Sequence, residues 1–393
     1  MYAQKKDSQI VHKDGNNFLP IRAENSASFL AGMWYTADMP YLYIHTQFGL
    51  TVRDRLPAPL PELLNRQHAA YLCGLIGPDV YFFDRLPPPI TRKHEKRTGN
   101  ALHNAPAGRV FAALDPLVRG DEARTAYALG FLCHYALDAA AHPFVESGHR
   151  GLDHTRFEMA LELPFCARVP MRAWAGERAP LYARSDPSGA DETPAGPRSA
   201  LQPPSAKSLP DGALPPVGRA VSAGAPLSAA SPHRLFLAAV RDRSLLESLD
   251  ALHVQLTKVL FGRSVRGAYR RSFQNFDRVH RLLYDPTGRK QRVARGVERA
   301  LFKKPGTLSG FLLSPPHTGA GDLFNEAHRP WASPWQPERP RTESFFNLYE
   351  AALTEAETLL PLYADALRGD GGAGRALEAL LEGGSMAHGK PVR

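Results

Sequence analysis

Apolar residues recur at three- and four-residue intervals along most of this chain. That spacing predicts helices near 62–76, 107–118, 122–141, 152–164, 234–260, 265–284, 290–302 and 342–368. The stretch from Met39 to Leu56 alternates aromatic and aliphatic residues and then turns helical. No strand pattern and no internal repeat stands out, so the expected fold class is all-α. Gly77-Pro78-Asp79 ends the 62–76 helix, and the Pro- and charge-rich residues 84–100 read as a loop. The residue before a proline avoids the α region, so His142, ahead of Pro143, is expected at a helix C-terminus.

The pattern also sets the domain organisation. Residues 1–38 lack periodicity and read as a disordered extension. Residues 176–232 are rich in Pro, Ser, Ala and Gly. With few large apolar groups they cannot repay the entropy of ordering, and read as a long disordered insertion. The segments on either side, 39–175 and 233–368, are expected to form two halves of one helical domain. The Gly-rich residues 369–393 read as a flexible tail.

With 393 residues and 43% hydrophobic content, the chain can bury a substantial core. No apolar run approaches the roughly 20 residues that span a bilayer. The first residues have no apolar signal-peptide core, which points to a cytoplasmic location. Cys73, Cys133 and Cys166 form neither a CxxC motif nor an even disulfide set, and read as buried thiols. The net charge of +9 suits an anionic partner such as a membrane surface, a phosphate ester or nucleic acid, or is a solubility feature only.

Candidate chemistry is concentrated in residues 131–158. His134, Asp138 and His142 recur every fourth position and so share one helix face, stacked over roughly 12 Å of axis. Their neighbours are apolar, from Tyr127 through Ala141. One such pair is ordinarily a surface hydrogen bond, and a lone buried histidine is ordinarily a satisfied core residue. Here a second pair, His154 and Glu158, follows within the same short stretch. Five ionisable groups on an apolar background carry a large desolvation cost that a divalent metal would offset. Imidazole and carboxylate donors without thiolate suit zinc.

Further candidates lie upstream. His45 sits among Tyr41, Tyr43, Ile44 and Phe48, so burial is expected. Asp79, just past a turn, is either an Asx-turn residue or a ligand presented at a helix end. His103 is expected to open a helical run and to deliver a ligand from a separate element. His94, among lysines and arginines, reads as solvated, and His149 as a loop histidine. Asn325, His328, Trp331 and Trp335 read as packing and loop anchoring ahead of any role at a cleft.

Several of these stretches together resemble the zinc-dependent phospholipase C family, and in particular its uncharacterised bacterial members. They are MPYLYIHTQFG, GLIGPDVYFF, the histidine of NALHNAP, and FLCHYALDAAAHPF followed by HTRFE. NEAHRPWASPW and SFFNLYEAAL add weaker likeness. The resemblance implies an all-α fold with two to three zinc ions in a cleft. It places Asp79, His103, His134 and Asp138 on one ion, and His142, His154 and Glu158 on a second. His45 and a bridging Asp138 would share a third. In characterised members the mature N-terminal residue completes that third site. Here the matching region lies near Met39, so either the third ion is lost or weakly held or the polypeptide starts at Met39, and the second is expected.

The implied activity is hydrolysis of a phospholipid or related phosphodiester by a multi-zinc-activated water, with Asp79 as general base. Tyr81, Phe82 and Tyr135 are candidates for the cleft rim. The expected partner is the lipid substrate, with peripheral membrane contact, and nucleic acid is less favoured. Two alternatives stay open, a related three-zinc nuclease and a zinc-stabilised binding protein without turnover.

Overall fold

The computed structural model describes residues 42–83, 94–149, 152–169, 239, 241–264, 266–285, 287–301, 306, 308–313 and 321–389. The N-terminal extension, Met39 and the 176–232 insertion lie outside the described residues. Twelve α-helices account for most of what is described, and the fold is all-α. In chain order they are α1 (Leu42–Arg55), α2 (Leu60–Arg66), α3 (His68–Ile76), α4 (His94–Asn104), α5 (Ala107–Val118) and α6 (Glu122–Val145). Then come α7 (Leu152–Arg168), α8 (Arg243–Phe261), α9 (Ala268–Leu283), α10 (Arg289–Leu301), α11 (Phe345–Leu367) and α12 (Gly371–Leu381).

Helix α6 is the centre of the molecule. From Ala126 to Ala139 it offers no face to water, and every residue in that stretch is buried. A helix apolar on all sides must be enclosed by others. Helices α1, α3, α5 and α11 pack around it. Asp121 starts α6 by accepting the Arg124 backbone N–H at 3.0 Å. One contiguous hydrophobic core runs from Leu42 to Met386.

The approach of α3 to α6 is unusually close, because both helices have glycine where they cross. A Cβ on Gly74 would lie 2.1 Å from the Tyr127 carbonyl oxygen. A Cβ on Gly130 would lie 2.3 Å from that of Tyr71. Past the crossing, α3 ends at Gly77, whose φ of +53° turns the chain sharply into a 3₁₀ helix, Gly77–Phe83. That turn is pressed against α6 and carries Asp79.

Several expectations need correction. The 62–76 segment is two helices, α2 and α3, broken at Gln67 (φ −106°, ψ 34°). Residues 94–100, expected as loop, belong to α4, and His103 lies in its last turn instead of opening a helix. Helix α6 continues through Pro143 to Val145, with the Glu146 N–H donating to the His142 carbonyl at 2.8 Å. A proline one turn from a helix end removes a single ladder bond, which this buried helix tolerates. The Trp/Pro-rich segment near 323–337 contributes to an antiparallel hairpin, β1 (Trp331–Ser333) with β2 (Gln336–Arg341). Prolines and a bulge mask the alternation that would have marked it.

The tail also differs from expectation up to Gly389. Residues 371–381 form α12, which packs on α11 and α5 and buries Ala373, Leu377 and Leu381. Three helical glycines lower its intrinsic propensity. The Asp370 carboxylate caps the N–H groups of Gly372 (2.7 Å) and Ala373 (3.1 Å), and tertiary burial outweighs propensity.

Substitution at the crossing should cost stability even where alanine is the better helix former. Gly130→Ala is expected to lower unfolding free energy by about 2 kcal/mol or more through backbone overlap. Gly108→Ala, whose Cβ would meet only Leu381 at 3.8 Å, should be neutral or stabilising by up to about 1 kcal/mol. Chemical denaturation of the two variants checks the contrast.

Candidate metal centre

Three elements converge beyond the α3–α6 crossing. Helix α6 presents His134 and Asp138 one turn apart, the 3₁₀ turn supplies Asp79, and the last turn of α4 supplies His103. One donor atom from each lies within 4.8 Å of the other three, and all four residues are buried. His103 Nε2 is 2.7 Å from Asp79 Oδ1, and His134 Nε2 is 3.0 Å from Asp138 Oδ2. The cross-distances, His103 to Asp138 and His134 to Asp79, are 3.8 and 3.9 Å.

A second group forms one turn further along α6. His142, in its last turn, meets His154 and Glu158 from α7, again with donor atoms within 4.8 Å. His154 Nε2 is 2.7 Å and His142 Nε2 3.7 Å from Glu158 Oε1. Asp138 stands between the groups, its Oδ2 towards His134 and its Oδ1 3.8 Å from His142 Nε2. His45, on α1, brings Nε2 to 3.2 Å from Asp138 Oδ1 and stacks on the His134 ring at 4.5 Å. It belongs to neither group of three or more donors among the described residues.

The far nitrogen of each ligand-type histidine is held. His103 Nδ1 donates to the Gly99 carbonyl (2.8 Å), His134 Nδ1 to that of Leu75 (3.1 Å) and His142 Nδ1 to that of Met386 (2.9 Å). A carbonyl only accepts, so each Nδ1 carries a proton and Nε2 is the ring atom left to face a carboxylate, through a cation or a second proton. Among the described residues, the buried His134 Nε2 and Asp138 Oδ2 have no hydrogen-bond partner of normal geometry. Acceptor facing acceptor in a dry site is unfavourable without a cation between them.

The family model described as zinc dependent phospholipase C matches residues 44–191, a span that contains every donor named above. Over this stretch the chain is similar to the zinc-dependent phospholipase C family. No curated protein and no solved structure matches the chain. The donors fit the metal in the family's description. They are imidazole nitrogens and carboxylate oxygens, clustered, and oriented by the outer contacts that fix the ring tautomer of a metal-binding histidine.

Without a metal, protons must take the cation's place. Burial lowers His154, but Glu158 and Glu146 outweigh it and raise the imidazole to about 11. Burial likewise opposes Asp138 and Glu158 at His142, which is raised to about 9. His134 moves up for the same kind of reason, with Asp138 and Asp79 outweighing burial. Asp138 itself, despite burial, is held well below the carboxylate range by His134 and His142. His45 goes the other way, because burial and the neighbouring His134 disfavour its charge.

Three contributors escaped the reading of the sequence. Glu146 lies 2.7 Å from His154 Nδ1 and orients that ring. Its place four residues past His142 was a legible signal. Glu162, four past Glu158, is buried, and its carboxylate accepts the Tyr43 backbone N–H at 2.9 Å, fixing the start of α1 and hence His45. Burial drives its carboxyl well above the ordinary range. The Met386 carbonyl had no signal at all.

The proposed rim fares less well. Tyr81 and Tyr135 are core residues, packed on the His253 and Phe111 rings respectively. Only Phe82, half-buried and 5.4 Å from the His103 ring, lies at the edge of the site. His149 is a loop residue stacked on Phe157, and the side chain of His94 lies outside the described residues. Asn325, His328 and Trp331 anchor their loop through the carbonyls of Thr342 and Glu343. Trp335 is partly exposed and meets the His388 ring at 4.7 Å. All three cysteines are free, Cys73 and Cys133 buried and Cys166 partly so.

Two outcomes follow from this geometry. His142 and His154 are raised above the ordinary 6.5, so their protonation stabilises the fold fully below that pH and is lost as pH rises through about 9 and then about 11. The melting temperature of chelator-stripped protein should therefore fall between pH 7 and 9, while metal-loaded protein, whose imidazoles are neutral throughout, should lack that fall. Second, a Cβ at Gly389 would lie 2.7 Å from the Ala139 carbonyl oxygen at a φ of +74°. Gly389→Val should shift the turn that carries Met386 and weaken metal affinity at the His142 group by about 10- to 100-fold. Titration with a competing chelator measures it.

Proposed function

We propose that this chain is a zinc-dependent phosphodiester hydrolase of the phospholipase C type, acting on a phospholipid or a related phosphodiester. The observation that carries the reading is Asp138, a buried carboxylate whose two oxygens face two separate donor groups. Bound zinc would supply Lewis-acid chemistry, neutralising phosphoryl oxygens and making a water nucleophilic near neutral pH. Asp79, His103, His134 and Asp138 would hold one ion, and His142, His154 and Glu158 another. His45 with Asp138 would form the edge of a third position.

The remaining work falls to the chain's own side chains. Asp138 stays anionic because its histidine neighbours hold it so, which suits a ligand and not an acid. Asp79 is the more accessible carboxylate of the first group, 6% exposed against 2% for Asp138. It is the group placed to take the proton from an attacking water as general base. The carbonyls of Gly99, Leu75 and Met386 hold the Nδ1–H of their histidines, so that Nε2 is the atom each ring turns to the cation.

Asp138→Asn is expected to abolish both metal retention and hydrolysis of a p-nitrophenyl phosphodiester. Asp79→Asn should lower turnover by about 10²- to 10⁴-fold while most of the metal is kept. Metal analysis and steady-state kinetics on the same samples distinguish the two. Release of diacylglycerol from phospholipid supports the reading. Release of nucleotides from nucleic acid alone would favour a nuclease, and zinc content with no hydrolysis would leave a binding protein.

A further inference from the structure

Helix α10 is built inside out. The residues it buries are Gln291 and Glu298. Val293, Val297 and Leu301 are exposed by 68%, 37% and 72%. Spaced at i, i+4 and i+8, they form one stripe about 12 Å long on the side away from the protein. Leu282, at the adjoining end of α9, is 61% exposed as well. Single exposed aliphatic residues are ordinary, but a stripe on a helix whose polar groups face inward is not.

The inversion is fixed by hydrogen bonds. The Glu298 carboxylate accepts the backbone N–H groups of Gly306 and Ser309 and the Ser309 hydroxyl, so it cannot turn outward without abandoning them. Asp285 accepts the Gln291 N–H at 2.8 Å at the other end. Glu298 is the only acid on the helix, leaving the outer surface uniformly basic. Arg289, Arg292 and Arg299 are exposed and Arg295 is half-exposed, and none is ion-paired among the described residues. Lys290 is spent on the carbonyls that end α9, at 2.7 Å from Leu282 and 2.9 Å from Tyr284.

We propose that α10 docks the protein on an anionic phospholipid surface, with Val293, Val297 and Leu301 entering the headgroup boundary and the four arginines pairing with lipid phosphates. A second copy of this face would set arginine against arginine. The stripe is short and aliphatic, without the aromatic anchor that carries most protein interfaces, and such a composition suits shallow insertion between headgroups. The surface is linked to the site through one turn. The 3₁₀ turn Ser309–Phe311, which Glu298 holds, packs on α7, the helix of His154 and Glu158, with Arg156 over the Phe311 ring at 5.1 Å. Choosing lipid over an acidic protein rests in part on the hydrolase reading, and the test is arranged so that each can fail alone.

The zinc-loaded full chain is sedimented with phosphatidylcholine vesicles prepared with and without phosphatidylglycerol. Binding is expected on the anionic vesicles, weakening with added salt. Arg292→Glu/Arg299→Glu should lower the partition coefficient about tenfold or more, and Val293→Ser/Leu301→Ser should also reduce it severalfold. Both variants should retain helical circular dichroism, zinc content and hydrolysis of a soluble p-nitrophenyl phosphodiester at the wild-type level. Equal binding to neutral vesicles, or variants that bind as wild type, would overturn the proposal. So would binding to polyglutamate but to no vesicle, or a dimer dissolved by Val297→Glu without any vesicle binding. Vesicle binding by a protein inert towards every phosphodiester would instead remove the hydrolase and leave the docking surface.

Discussion

Contact between the backbones of α3 and α6 at Gly74 and Gly130 is the constraint from which the site follows. With any side chain there, α3 would stand off, and the Leu75 carbonyl would no longer reach His134. The turn that begins at Gly77 would move with it, carrying Asp79 away from His103 and His134. Two residues without side chains thus help to place Asp79 and the ring of His134. Close packing turns a local absence of volume into an accurate placement at the end of the helix.

Around that scaffold the protein concentrates charge where a solvent argument would forbid it. Three carboxylates, Asp79, Asp138 and Glu158, are buried beside five histidines, four of them buried and His142 partly so. Such a cluster is unfavourable when uncompensated and becomes a high-affinity cation site when its donors are pre-oriented. The orienting contacts come from distant stretches of chain. Gly99 belongs to α4, Leu75 to α3, Glu146 to the end of α6, and Met386 to a turn past α12. The C-terminal turn thereby becomes part of the centre, although it lies outside the segment that matches the family.

The periphery follows a different logic. Helix α10 gives up an apolar inner face so that Glu298 can hold Gly306 and Ser309, and its aliphatic residues are turned outward. One buried carboxylate therefore links the outer surface of the molecule to the wall of α7. Glu162 does corresponding work for α1, holding its start and with it His45.

Much of this was written in the chain itself. Apolar spacing identified the helices, and the four-residue recurrence of His134, Asp138 and His142, then of His154 and Glu158, marked the faces that carry the candidate donors, because helical geometry is local and needs no partner to be read. The break at Gln67, the helical state of 94–100, the hairpin at Trp331 and the order of the tail were not legible. In each case burial or a distant hydrogen bond outweighed local propensity. Nor could periodicity show that α10 faces its stripe outward, since an amphipathic pattern fixes the existence of an apolar side and not what covers it. Sequence determined which atoms could bind a cation; only the packing of α3, α4, α7 and the C-terminal turn against α6 decided that those atoms meet, because contacts between residues far apart in the chain exist only once the core has closed.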